Sequence, residues 1–124
     1  MTAELFKSTE PQMAAVRERM REIIETVPAH EEMKTLLRSV ADNPGKMIRS
    51  RLMLLAAGER ADGHWDELVA TAAALEMVHS SSLILDDMID DSDLRRGKPT
   101  VQKQYGKPIA LCSGDYLLGC NPCR

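Results

Sequence analysis

Apolar residues recur along most of this chain at intervals of three and four, the spacing of one face of a helix. Met13, Val16, Met20, Ile23, Ile24 and Val27 form the first such series, with Arg17, Glu18, Arg21 and Glu22 on the other face. Pro28 should stop that helix. A shorter series, Met33, Leu36, Leu37 and Val40, predicts a second helix. Asn43-Pro44-Gly45 reads as a turn that opens a third, through Met47, Ile48, Leu52, Met53 and Leu55, broken by Gly58 and Ala61-Asp62-Gly63. From Trp65 to about Asp91 the pattern predicts the longest helix, apolar nearly all round and therefore central. Gly97 and Pro99 end the loop after it, and short helices over 100–105 and 108–118 complete the chain. No segment alternates as a strand would. The predicted class is all-α.

Composition sharpens this picture. Of 124 residues 44% are hydrophobic, yet only Phe6, Trp65, Tyr105 and Tyr116 are aromatic; eight Met join Ala, Leu, Ile and Val in the core. Met13, Met20, Met33, Met53 and Met77 read as core filler, His30 and His64 as surface residues. The net charge of −3 argues against a general nucleic-acid binder. The N-terminus lacks the build of a signal peptide, and the richest apolar stretch, Val69 to Val78, is too short for a membrane span and contains Glu76. Three cysteines without an export signal point to reduced thiols in a cytoplasm.

Chemistry concentrates at the end of the long helix. Five carboxylates (Asp86, Asp87, Asp90, Asp91 and Asp93) fall within eight residues, and Arg95-Arg96-Gly97 follows at once. Asp86 and Asp90 share a helix face; Asp87 lies about 100° round. Acids at a helix C-terminus oppose the dipole, so a solvated cap is misplaced there. Mg²⁺ fits: it takes oxygen ligands and uses one or two carboxylates with substrate phosphate, while arginine forks hold phosphate oxygens. An EF-hand is excluded, because counting from Asp91 the sixth position is Arg96 and not Gly. Lys46 and Arg49 form a second basic pair beside a helix N-terminus, a plausible phosphate grip.

Together these residues resemble the first half of a trans-polyprenyl diphosphate synthase, an isoprenoid-synthase-type helical bundle. Asp86-Asp87-Met88-Ile89-Asp90 with Arg95-Arg96-Gly97 is similar to the first aspartate-rich motif of that family. Glu76-Met77-Val78-His79 and Ser82-Leu83 resemble its lead-in; Lys98-Pro99-Thr100 and Gly114-Asp115-Tyr116-Leu117-Leu118 resemble its continuation. Pro44-Gly45-Lys46-Met47-Ile48-Arg49-Ser50 resembles a Gly-Gly-Lys-Arg-x-Arg-Pro motif in which Met47 and Ser50 replace Arg and Pro. The likeness runs over about residues 10 to 118.

The resemblance implies a prenyltransferase. Asp86, Asp87 and Asp90 would hold Mg²⁺ on an allylic diphosphate, with Arg95 on that same diphosphate. Lys46, Arg49, His79 and Arg96 would hold isopentenyl diphosphate. It also implies an oligomer. In the family, residues one turn before the motif floor the product channel; here Ser81 and Ser82 stand there, which implies a medium or long product. Residues 1–118 would be the N-terminal part of the synthase domain, and 119–124 a tail outside the family pattern. The family's second aspartate-rich motif has no counterpart after Asp93, so the chain reads as a truncated synthase; a non-catalytic or complementing subunit of a heteromeric synthase and a helical Mg²⁺-binding interaction module are the alternatives. Cys120-Asn121-Pro122-Cys123 has the spacing of a redox pair or half a zinc site, without a second pair or a flanking strand.

Overall fold

The computed structural model describes residues 2–119. Six helices and one two-residue-stranded hairpin follow in order: α1 (Thr2–Glu25), α2 (Glu31–Asp42), α3 (Ile48–Ala57), a 3-10 turn (Gly58–Ala61), α4 (Trp65–Ile89), β1 (Leu94–Arg95), β2 (Lys98–Pro99), α5 (Val101–Tyr105) and α6 (Lys107–Gly119). The all-α class holds. The C-terminal tail and the Cys120/Cys123 pair, Gly119 apart, lie outside the described residues.

Helix α4 is the axis, packed by α6, α1, α3 and α5. Val69, Ala72, Ala73, Glu76, Met77, Ser81, Ile84 and Asp87 are its buried positions, a repeat of three and four that marks one face. The core around it holds Met13, Val16, Met20, Ile24, Leu37, Leu54 and Leu117. Met13, Met20 and Met77 are buried, as their helical spacing predicts, while Met33 and Met53 pack at the core's edge. Small residues set the closest approach. Ser81 donates to the Gly114 carbonyl at 2.9 Å. A Cβ at Gly114 would come 3.2 Å from Leu85, so α6 crosses α4 on hydrogen there.

Three expectations need correction. Helix α1 begins at Thr2 with Pro11 inside it and ends at Glu25, where Thr26 donates its hydroxyl to the Ile23 carbonyl (2.7 Å) before Pro28 is reached. The loop after α4 contains an antiparallel hairpin, with Leu94 opposite Pro99 and Arg95 opposite Lys98. Its turn residues Arg96 (φ +52°) and Gly97 (φ +76°) are both left-handed, as a two-residue turn between twisted strands requires. Four residues were too few to show alternation in sequence. Finally, α4 at 25 residues is long and apolar enough to cross a bilayer by length and composition, although Val69–Val78 alone looked too short. Four other helices pack on it, and 39% of that apolar window is buried.

The central helix is not enclosed on every side. Leu75 and Val78 on α4, Ile48, Leu52 and Leu55 on α3, and Ile109, Leu111 and Leu118 on α6 are exposed.

Candidate functional site

The five acids at the end of α4 have separate fates. Asp87 is buried, and Arg95 clasps it with both arms of the guanidinium, Nε to Oδ2 at 2.9 Å and Nη2 to Oδ1 at 2.8 Å. Asp91 pairs with Lys107 (3.4 Å) and Asp93 with Lys103 (3.8 Å). Among the described residues, Asp86 and Asp90 form no ion pair, and both are exposed on one face of the helix end. The loop that carries the arginines is stitched to this end. Gln102 donates to the Ser92 (2.7 Å) and Asp87 (3.3 Å) carbonyls, and Thr100 donates to Ser92 at 2.8 Å.

The sequence grouped Asp86, Asp87 and Asp90 as equivalent metal ligands. In the structure both Asp87 oxygens accept from Arg95. Among the described residues no three His, Cys, Asp or Glu side chains converge on a common point. Two unpaired carboxylates at the carbonyl-rich end of a helix still suit a hard divalent cation that completes its shell with water and substrate oxygens. The donor set therefore fits Mg²⁺ through Asp86 and Asp90 first.

The basic residues gather beside this acidic end. The Asp87 hydrogen bond raises the Arg95 pKa above its ordinary value, and Asp86 and Asp90 add to that pull. Arg96 reaches over Gly45 so closely that a Cβ there would collide with its guanidinium. Gly45 (φ +74°) and Met47 (φ +53°) are both left-handed, which folds this turn back under the hairpin. His79, three turns up α4 from Asp90, is pushed below the usual histidine range, first by partial burial and then by Arg49, with Arg96 and Arg95 contributing. Lys46 and Arg49 are exposed at this edge. Arg49, His79, Arg95 and Arg96 thus share one electrostatic environment, with the Lys46 turn alongside.

Two buried groups hold this edge; sequence reasoning singled out Glu76 but not its partner Ser50, and it missed Arg51. The Glu76 carboxylate accepts from the Ser50 hydroxyl (2.6 Å) and the Ser50 backbone N–H (3.1 Å), so one of the first free amides of α3 is satisfied from within. Arg51 is also buried and is spent on protein partners. Its signal was available: Met47, Ser50, Arg51 and Leu54 fall on the core face of α3, where a lone arginine demands partners.

A cavity of about 470 Å³ behind the hairpin is lined in part by Asp87, Arg95, Arg96 and Gly45. Asp86, Asp90, Lys46, Arg49 and His79 lie outside it, on the open face. A larger depression of about 940 Å³, between α1 and α6, touches none of these residues. Ser81 and Ser82 part company: Ser81 is buried against Gly114, whereas Ser82 is exposed on the Asp86 face and donates to the His79 carbonyl at 2.6 Å.

The family model for polyprenyl synthetase matches residues 30–121. The chain belongs to the polyprenyl synthetase family. It is 38% identical over 115 residues to a geranylgeranyl diphosphate synthase of Pantoea ananas, covering 90% of this chain and 38% of that protein. It is 38% identical over 110 residues to a heptaprenyl diphosphate synthase component 2 of Geobacillus stearothermophilus, covering 86% of this chain and 32% of that one. Among solved structures, a decaprenyl diphosphate synthase from Rhodobacter capsulatus superposes with a TM-score of 0.81 at 27% identity, over 98% of this chain and 37% of its own. A geranyltranstransferase from Thermotoga maritima gives 0.71 at 34% identity, over 92% and 42%. The chain thus spans well under half the length of these relatives.

Proposed function

We propose that this polypeptide supplies the first-motif half of a prenyltransferase site that joins isopentenyl diphosphate to an allylic diphosphate. The observation that carries the reading is the sorting of charge at the end of α4. Of five aspartates, the pair left without an ion-pair partner is the one four residues apart on an exposed face. A basic edge adjoins it.

In this reading Asp86 and Asp90 would hold Mg²⁺ against the allylic diphosphate, and Asp87 acts through Arg95, which it orients toward the same diphosphate. Lys46, Arg49, His79 and Arg96 would take the second diphosphate. Magnesium, when bound, would neutralise charge on the diphosphate oxygens as a Lewis acid. The fixed guanidinium groups favour the leaving group as the allylic C–O bond breaks and its electron pair departs with diphosphate. The isopentenyl double bond supplies the electrons of the new C–C bond, and loss of one proton restores a double bond in a product one isoprene unit longer. Substrate held on the open face of α4 would run from Asp86 past Ser82 and Val78 to Leu75, about 16 Å of helix at 1.5 Å per residue. Ser82 offers little obstruction, in keeping with a medium or long product. We place the reaction in a reducing cytoplasm, where a thiol such as the exposed Cys112 persists.

A second reading has its own support. The exposed apolar side chains of α3 and α4 suit a subunit that completes its site with further helices from a partner. The test is incorporation of labelled isopentenyl diphosphate with farnesyl diphosphate and Mg²⁺. Elongation by the purified chain establishes the first reading; elongation only in a mixture with a second synthase subunit establishes the complementing role. Absence of both, together with no Mg²⁺-dependent diphosphate binding, overturns the proposal.

A further inference from the structure

Arg51 is 4% exposed and commits its whole guanidinium to two pieces of backbone far apart in sequence. Nε donates to the Lys46 carbonyl at 2.8 Å. Nη1 donates to the Phe6 carbonyl (3.1 Å) and the Thr9 hydroxyl (2.6 Å), and Nη2 to Glu10 Oε2 (3.1 Å). The cation also stands 4.5 Å from the centre of the Phe6 ring. Glu10 is shared: its other oxygen accepts from Arg17, and Arg17 in turn reaches the Met47 sulfur at 3.9 Å. A ring of contacts therefore closes from the Lys46 carbonyl through Arg51, Glu10 and Arg17 back to Met47. It encloses the left-handed peptide unit between Lys46 and Met47.

That unit stores strain, because Met47 has φ +53° with a side chain that disfavours it. Released from the ring, the turn would relax toward negative φ. Lys46 would then swing relative to Arg49, which is anchored separately on α3 through the Ser50–Glu76 bonds. Lysine cannot reproduce the fork, since one ammonium offers no planar set of five donors.

We infer that Arg51 is a positioning residue for the second-diphosphate edge: it locks the strained turn that sets Lys46 beside Arg49, using the N-terminal part of α1 as its brace. The inference rests on the basic edge being an anion site, as argued under Proposed function. It adds that α1, distant in sequence from every motif, governs that site's affinity.

The experiment is calorimetric titration of the full chain with inorganic pyrophosphate, comparing wild type, Arg51→Leu, Arg51→Lys, Glu10→Gln and the double variant Lys46→Ala/Arg49→Ala, with helix content and Tm recorded for each. The expected result is an affinity lowered about tenfold in Arg51→Leu and Arg51→Lys, by misplacement of a binding group, with the binding stoichiometry retained. A purely structural role would lower Tm and the competent fraction while the remaining molecules bind with wild-type affinity; that result overturns the inference. Should Arg51→Leu fail to fold, Arg51→Lys and Glu10→Gln decide: reduced affinity in both sustains it, wild-type affinity in both refutes it. Wild-type protein that binds no pyrophosphate, or a double variant that binds as well as wild type, removes the anion site itself and the inference with it. Wild-type binding abolished by the double variant but unmoved by Arg51 leaves the site and removes only the positioning role.

Discussion

At the scale of single residues, neighbouring aspartates at the end of α4 have different surroundings. Asp86→Ala or Asp90→Ala removes a carboxylate with no partner in the protein, so fold stability should hold while Mg²⁺-dependent pyrophosphate affinity falls at least about tenfold, roughly 1.4 kcal/mol. Asp87→Ala should behave otherwise. It strands Arg95, which is 35% exposed and so partly screened, at a cost of about 1–2 kcal/mol of stability. Thermal melts beside titrations distinguish the two patterns, and equal loss of stability in all three variants would contradict the division. His79 supplies a second residue-scale prediction. Its folded pKa lies below the ordinary 6.5, so its contribution to stability is whole above that value and declines as pH falls through it toward the folded pKa. A pyrophosphate bound beside it would offset the surrounding arginines and draw the pKa back up. Titration near pH 6.5 in two buffers of different ionisation heat should therefore show proton uptake that His79→Gln lacks.

At the scale of elements, most boundaries were legible in the apolar spacing. The long helix, the turn at Asn43-Pro44-Gly45 and the closing helices stand where the pattern placed them, because the apolar face of α4 is the one that α1, α3, α5 and α6 cover. What escaped was polar and long-range. No local pattern ties Arg51 to Phe6, or Ser50 to Glu76, since those bonds exist only once α1, α3 and α4 are packed. Asp87 could not be told from Asp86 by spacing either; the difference came from a hairpin of six residues, 94–99, that returns Arg95 to the helix. The α4–α6 crossing offers a direct check of element packing. Ser81→Ala leaves the Gly114 carbonyl without its hydroxyl donor and should cost about 1 kcal/mol, read as a lower midpoint in urea with unchanged slope. An unaltered midpoint would show that water replaces the hydroxyl there.

For the molecule as a whole, the apolar side chains left bare on α3, α4 and α6 set its behaviour in solution. Ile48, Leu52 and Leu55 repeat at four and three residues, the stripe of a helix meant to be covered. Light scattering coupled to gel filtration should find the isolated chain associating as concentration rises, and a Leu52→Glu/Leu55→Glu variant should shift it toward monomer with its helix content kept. A strictly monomeric wild type would mean that these side chains tolerate water as they stand.

The lysines that meet Asp91 and Asp93, and the clasp between Arg95 and Asp87, mean that most of this crowded negative charge is balanced by the polypeptide itself. Treatment with a chelator should therefore leave helix content and Tm unchanged, and a lowered Tm would contradict this balance. The end of the helix is thus held together by the protein's own ion pairs, with or without a bound cation.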